Sequence, residues 1–193
     1  MSRRLLTVLV CCMIAVPALA ALSPGAQAPD FTTQASLAGK AFTFTLKDAL
    51  KKGPVVVYFY PAAFTRGCNL QAHTFAEQMA DFTSAGATVI GVSLDKIETL
   101  NEFSADPQYC AGKLAVASDA DGRIAKNFDI KIADAQAGLK NTRGAEIDHG
   151  FAERTTFVVG VDDKIVATIG GMSPTENVER TLIVVRQVSG TRK

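Results

Sequence analysis

Val55-Val56-Val57-Tyr58-Phe59-Tyr60 runs directly into Pro61-Ala62-Ala63-Phe64-Thr65-Arg66-Gly67-Cys68, and the architecture turns on this stretch. Its first six residues are all apolar or aromatic, with a β-branched core, which predicts a strand buried on both faces. From Cys68 to Ala85, Phe75, Met79 and Phe82 recur at i, i+4 and i+7 and Gly86 follows, the pattern of an amphipathic helix with a glycine stop. Thr88 to Ser93 is a second β-branched run. Ile97 to about Ala105 is helical in pattern and must end near Asp106-Pro107. Leu114 to Ser118 predicts a third strand, and Arg123 to Phe128 a short helix after the Asp121-Gly122 turn. Residues 131–150, with Gly138, Gly144 and Gly150, read as a long loop. Thr155 to Val161 and Lys164 to Ile169 form a hairpin about Asp162-Asp163. Ser173-Pro174-Thr175-Glu176 is a capping box that opens a last helix to about Val188. The segment from Phe31 to Thr45 predicts a small N-terminal hairpin. This order is that of an α/β protein, a mixed central β-sheet flanked by helices.

The chain has 193 residues, 48% hydrophobic and 20% charged, enough to bury one core and too short for two. Lys+Arg number 20 against 19 Asp+Glu, so the basic surplus that phosphate contacts require is missing and a nucleic-acid partner is not expected. Residues 1–20 have the form of a secretory signal peptide. Arg3 and Arg4 are its positive start, Leu5 to Val16 its apolar run, and Ala18-Leu19-Ala20 its cleavage site before Ala21. An uncleaved anchor is the rival, but the apolar run is short of the roughly 20 residues a spanning helix needs. The Arg3-Arg4 pair leaves both general and twin-arginine export open. Cleavage leaves residues 21–193 as a single domain in the periplasm or outside the cell, with no membrane contact. It takes Lys+Arg from 20 to 18 against 19 Asp+Glu, formally −1. Cys11 and Cys12 go with it. Cys68 and Cys110 remain, and in an oxidising compartment they are expected to pair or to do redox work.

Cys68 falls at the start of the helix that follows the first buried strand. Free backbone N–H groups and the positive end of the helix dipole favour an anion there, so the thiolate is the expected reactive form. Thr65 can turn its hydroxyl toward the same point. Pro61 cannot donate a backbone hydrogen bond and can shield the wall of the site.

The run Pro61, Thr65, Cys68 resembles the Pro-x-x-x-Thr-x-x-Cys active-site loop of the peroxiredoxins, the alkyl hydroperoxide reductase/thiol-specific antioxidant superfamily. Gly25-Ala26-Gln27-Ala28-Pro29-Asp30-Phe31 is similar to the family's N-terminal segment, and Arg154 stands where the family keeps its active-site arginine. The resemblance covers essentially all of residues 21–193 and is nearest to the bacterioferritin-comigratory, or Q-type, branch. It implies a thioredoxin-like fold. Two positions depart from the branch: Gln71 stands where a glutamate is common, and His73 where many members carry a second cysteine. His73 and His149 read as ordinary polar residues, and Arg66 as solvated.

The resemblance implies a thiol-dependent peroxidase. Cys68 would attack a hydroperoxide and become a sulfenic acid, with Thr65, Pro61 and Arg154 about the reacting atoms and Gln71 and Tyr60 behind them. It implies no metal, haem or flavin, because the sulfur is itself the electron donor. The partners implied are the hydroperoxide and a thioredoxin-like dithiol reductant, and the protein would be a monomer or weak homodimer. Cys110 sits in an irregular turn between Pro107 and Gly112, about as far along the chain as the helix after the second core strand, where some Q-type proteins place the resolving cysteine. It is the candidate to close an intramolecular disulfide with Cys68, and a one-cysteine cycle is the alternative. Two other classes stay open: a thiol–disulfide oxidoreductase on the same fold, opposed by Thr65 standing where Cys-x-x-Cys needs its first cysteine, and a non-enzymatic redox sensor or holdase.

Overall fold

β3 (Val55–Phe59) is the hub of the sheet, and its side chains show why. Val55, Val57 and Phe59 point into one core with Phe31, Leu46, Phe128 and Phe157. Val56, Tyr58 and the following Tyr60 point into a second core with Phe75, Phe82, Phe103 and Leu182. A strand apolar at every position must be covered on both sides. In this computed structural model, which describes residues 21–190, helices cover both. The signal segment expected over residues 1–20 lies outside the described residues.

Around β3 the chain runs β1 (Thr32–Leu37), β2 (Lys40–Thr45), α1 (Leu46–Leu50), then α2 (Arg66–Ser84), β4 (Thr88–Ser93), α3 (Ile97–Ala105), β5 (Ala115–Ser118) and α4 (Arg123–Asn127). β6 (Ile132–Ala133), β7 (Phe151–Ala152), β8 (Thr155–Val159), β9 (Ile165–Gly170) and α5 (Pro174–Gly190) complete it. The seven-stranded sheet has the order β2-β1-β5-β4-β3-β8-β9. β3, β4 and β5 are parallel to one another, and β8 runs antiparallel to β3. The mixed sheet flanked by helices is the α/β architecture expected from the element order, and it matches the thioredoxin-like fold that the resemblance implies.

Local signals act where the sequence places them. Gly86 ends α2 at φ 74°, in the left-handed region that glycine enters at no steric cost, and Ala87 N–H reaches back to the Phe82 carbonyl at 2.9 Å. The capping box is reciprocal: Ser173 N–H donates to Glu176 Oε2 at 3.1 Å, and Glu176 N–H to Ser173 Oγ at 3.3 Å.

The structure refines the expected elements. The N-terminal hairpin expected over Phe31 to Thr45 is present as β1 and β2, and β1 also pairs antiparallel with β5, so the hairpin extends the main sheet. Residues 131–150 are not wholly loop: Ile132 and Ala133 pair with Ala152 and Phe151 in a small second sheet, too short to show a period. Helix α1 has no signature in the sequence because five residues are less than two turns. Among the described residues no helix is long and apolar enough to cross a membrane.

Candidate active site

Topology alone brings the distant residues together. Parallel strands β3 and β4 release their chains at the same end of the sheet. Because β8 is antiparallel, its register of Phe59 against Thr155 puts Arg154 beside the residues that leave β3. α2 begins at Arg66, so Cys68 is in its first turn, and the first intrahelical bond runs from Asn69 N–H to the Thr65 carbonyl at 2.8 Å. The Arg66, Gly67 and Cys68 N–H groups precede that bond and have no acceptor within the helix. Arg154 Nη2 donates to Cys68 Sγ at 3.3 Å. Cys68 is 2% exposed. A cation and a helix N-terminus thus meet at one buried cysteine.

Behind the arginine stands Gln71, fully buried, whose Oε1 accepts from Arg154 Nη1. Its Nε2 donates to Asn177 Oδ1 on α5 at 3.0 Å. Gly67 makes the approach possible. A Cβ there would meet Arg154 Nη2 at 3.3 Å and Pro174 Cγ at 3.8 Å.

The loop between β3 and α2 is held from two sides. Ala63 N–H donates to Asp95 Oδ2 at 2.8 Å, and Ser93 Oγ donates to the same oxygen at 2.7 Å. Asp95 Oδ1 faces His149 Nε2 at 3.1 Å. Burial works against charge on His149, but the hydrogen bonds to Asp95 and the Gly150 carbonyl, with the Asp95 and Asp148 charges, outweigh it and raise its pKa above the ordinary 6.5. From the other side, Thr142 donates to the Phe64 carbonyl through both its N–H and its Oγ1, each at 2.8 Å. The Arg143 guanidinium lies 3.6 Å from the centre of the Phe64 ring. Phe64 itself has φ 56°, an unfavourable region for a bulky residue that only its surroundings can hold.

Several sequence-derived positions need correction. Thr65 occupies the N-cap, but its hydroxyl donates to the Ala62 carbonyl at 2.8 Å and makes no cap bond or bond to Cys68. Its lone pairs remain available to accept a proton from a bound ligand. Pro61 is half-buried. Tyr60 is 1% exposed, and its ring packs on Tyr58 and Phe103. His149, read as bland, ties residues 149–150 to the Asp95 that holds the active-site loop. Arg66 and His73 are exposed, and His73 faces Glu77 at 3.3 Å.

The burial of Cys110 is not legible in the sequence. The turn is there, but Cys110 is 0% exposed and lies in the same core as Cys68. Lys113 and Leu114 N–H groups both bond its carbonyl, at 2.9 and 3.2 Å. Burial first, and the Asp106 charge second, push its thiol well above the ordinary range. Both cysteines are free thiols. Among the described residues no group of three or more His, Cys, Asp or Glu side chains is placed to hold a metal ion.

The AhpC/TSA family model matches residues 24–168, and the chain belongs to that family. A Mycobacterium tuberculosis protein named as a peroxiredoxin is 36% identical over 158 residues, covering 77% of this chain and 94% of its own. The crystal structure of peroxidoxin BcpB from the same organism superposes with a TM-score of 0.71 at 26% identity, over 86% of this chain and 98% of that one. The bacterioferritin comigratory protein of Xanthomonas campestris, described for its alkyl peroxide reduction activity, gives 0.63 at 26% identity over 81% and 91%. The chain is therefore a peroxiredoxin, a thiol-dependent peroxidase, and its neighbours agree with the bacterioferritin-comigratory or Q-type branch.

Proposed function

We propose that Cys68 is the peroxidatic nucleophile, that Arg154 is its cation, and that hydrogen peroxide and organic hydroperoxides are the substrates. The observation that carries this is the Arg154 Nη2 to Cys68 Sγ hydrogen bond of 3.3 Å at the first turn of α2. The thiolate attacks the terminal peroxide oxygen. An S–O bond forms as the O–O bond breaks, sulfur is oxidised to the sulfenic acid, and the other oxygen takes a proton and leaves as water or an alcohol. Arg154 and the first-turn N–H groups stabilise the charge growing on the leaving oxygen. Thr65, whose hydroxyl proton is already committed to Ala62, accepts the hydrogen of the incoming hydroperoxide.

In the same reading Cys110 resolves the sulfenic acid. Its sulfur attacks Cys68, the S–S bond forms, the S–O bond breaks and water leaves. A thioredoxin-like dithiol then reduces the disulfide. Two α-carbons must approach within about 7 Å for that bond, so the Cys110 turn has to open. The complete burial of Cys110 favours a second reading, a one-cysteine cycle in which the external thiol attacks Cys68 directly. Intact mass after one equivalent of peroxide separates the two. Loss of two hydrogens, with a Cys68–Cys110 cross-linked peptide, supports resolution by Cys110. A stable gain of one oxygen, with turnover unchanged in Cys110→Ser, establishes the one-cysteine cycle.

The signal-like residues 1–20 support export, cleavage before Ala21 and a mature domain of residues 21–193 working in the periplasm. N-terminal sequencing of the protein from a periplasmic fraction should begin at Ala21. A start at Met1 would refute it.

A further inference from the structure

We propose that Asn177, on α5 and beyond the residues the family model matches, is a positioning residue for peroxide reduction. It is the fixed link of a directional hydrogen-bond chain that aims Arg154 at Cys68. The proposal rests on the role given to Arg154 above. The chain starts at the Ile169 carbonyl of β9, which accepts from Asn177 Nδ2 at 3.1 Å. A backbone carbonyl can only accept, so the amide nitrogen of Asn177 must face it and Oδ1 must face away. That oxygen receives two donors, Gln71 Nε2 at 3.0 Å and Thr156 Oγ1 at 2.7 Å. With its nitrogen so engaged, Gln71 presents Oε1 to Arg154 Nη1. The guanidinium can only donate, so the far end demands the same orientation. An acceptor-only group at one end and a donor-only group at the other leave the two amides between them a single arrangement.

Flipping either amide alone sets oxygen against oxygen or N–H against N–H. Gln71, Thr156 and Asn177 are all at most 1% exposed, so water cannot repair such a mismatch. Asn177 is further fixed from its own helix, where its N–H bonds Ser173 at 3.0 Å and its carbonyl accepts from Thr181 Oγ1 at 2.7 Å. The chain also accounts for the departure at position 71. An ionised glutamate there would put a carboxylate oxygen against Asn177 Oδ1, whereas glutamine supplies the hydrogen that this oxygen needs. The cation consequently faces the sulfur with a neutral partner behind it, and no carboxylate is ion-paired to Arg154 among the described residues.

The test is a double-mutant cycle on the full chain, measuring the rate of Cys68 oxidation by hydrogen peroxide with rapid quench and intact mass. Asn177→Ala should slow that step at least tenfold when Arg154 is present. In the Arg154→Met background the same substitution should change the rate by less than threefold, since the group it aims is gone. Thermal unfolding should show equal destabilisation in both backgrounds. A loss under tenfold with Arg154 present, or a loss of threefold or more in the Arg154→Met background, overturns the proposal. Full activity of Arg154→Met by itself refutes the role of Arg154 instead. Should Asn177→Ala fail to fold, Gln71→Met breaks the chain one link nearer the guanidinium and is judged by the same two measurements.

Discussion

Arg143 closes the site from the outside, and its removal should release Cys110. The guanidinium bonds Glu102 at 2.8 Å and Asp106 at 2.6 Å while lying over the Phe64 ring. Asp106 heads the Cys110 turn: its carbonyl accepts from Ala111 N–H at 2.8 Å and its Oδ1 from Gln108 N–H at 2.8 Å. Phe64 in turn packs edge-on against Phe103 and Tyr109, the residue before Cys110. One side chain therefore joins the active-site loop to the start of the Cys110 turn and, through Phe64, to Tyr109 within it. The Arg143 side chain is 40% exposed, so each ion pair is worth only about 0.2–1 kcal/mol, the better-buried Asp106 pair being nearer the top. The contact with the ring adds about 0.5–1 kcal/mol. Taken together, and allowing for overlap, Arg143→Ala should favour opening by about 1.5–2.5 kcal/mol, where each 1.4 kcal/mol is tenfold. Conversion of the oxidised Cys68 to the disulfide should accelerate by at least about tenfold, read as the fall of the one-oxygen mass and the rise of the disulfide mass in quenched samples. Arg143→Lys, which keeps the charge and loses the planar fork, should lie between. A rate unchanged or slower in Arg143→Ala would refute the clasp.

Cys68→Ser should abolish peroxidase activity and leave the unfolding temperature nearly unchanged, because a serine hydroxyl supplies no comparable anion near neutral pH; residual turnover would exclude Cys68 as nucleophile. Arg154→Met should slow the peroxide step at least tenfold, about 1.4 kcal/mol of charge stabilisation, and a full-rate variant would mean that another cation does this work. Gly67→Ala improves helix propensity yet crowds Arg154 Nη2 at 3.3 Å. It should slow peroxide reduction while keeping or raising the unfolding temperature, and a variant at full rate would show that the guanidinium yields freely. His149 has its pKa raised in the folded protein. Its contribution is therefore complete below the unfolded value of about 6.5 and is lost as pH rises through the higher folded value. The unfolding temperature of the wild type relative to His149→Ala should fall across that window, and parallel curves would show that the Asp95 pair is energetically silent.

The elements legible in the sequence are those whose signal is local. β3 is readable because six consecutive apolar residues fit only a strand covered on both faces, and α2 because Phe75, Met79 and Phe82 share one helical face before a glycine stop. Cys68 and Thr65 were placed by the same local logic, since a helix start is a property of neighbouring residues. What escaped is set by register across the sheet. Nothing near Asn177 announces that its Oδ1 meets Gln71, because the contact exists only after β8 and β9 have brought α5 over α2. The residues 131–150 were featureless for the same reason. They have little period of their own, and Thr142, Arg143 and His149 act on Phe64 and Asp95, which lie far away in the chain. Pro107 and Gly112 mark the Cys110 turn locally, but the complete burial of Cys110 is set by tertiary packing that no local pattern announces. The reactive sulfur is thus specified locally, and the groups that aim the arginine and confine the second thiol are specified by tertiary contact. The two sets should separate experimentally: changes at Thr65 or Gly67 act on the peroxide step, while changes at Arg143 act on the fate of the sulfenic acid that the step produces.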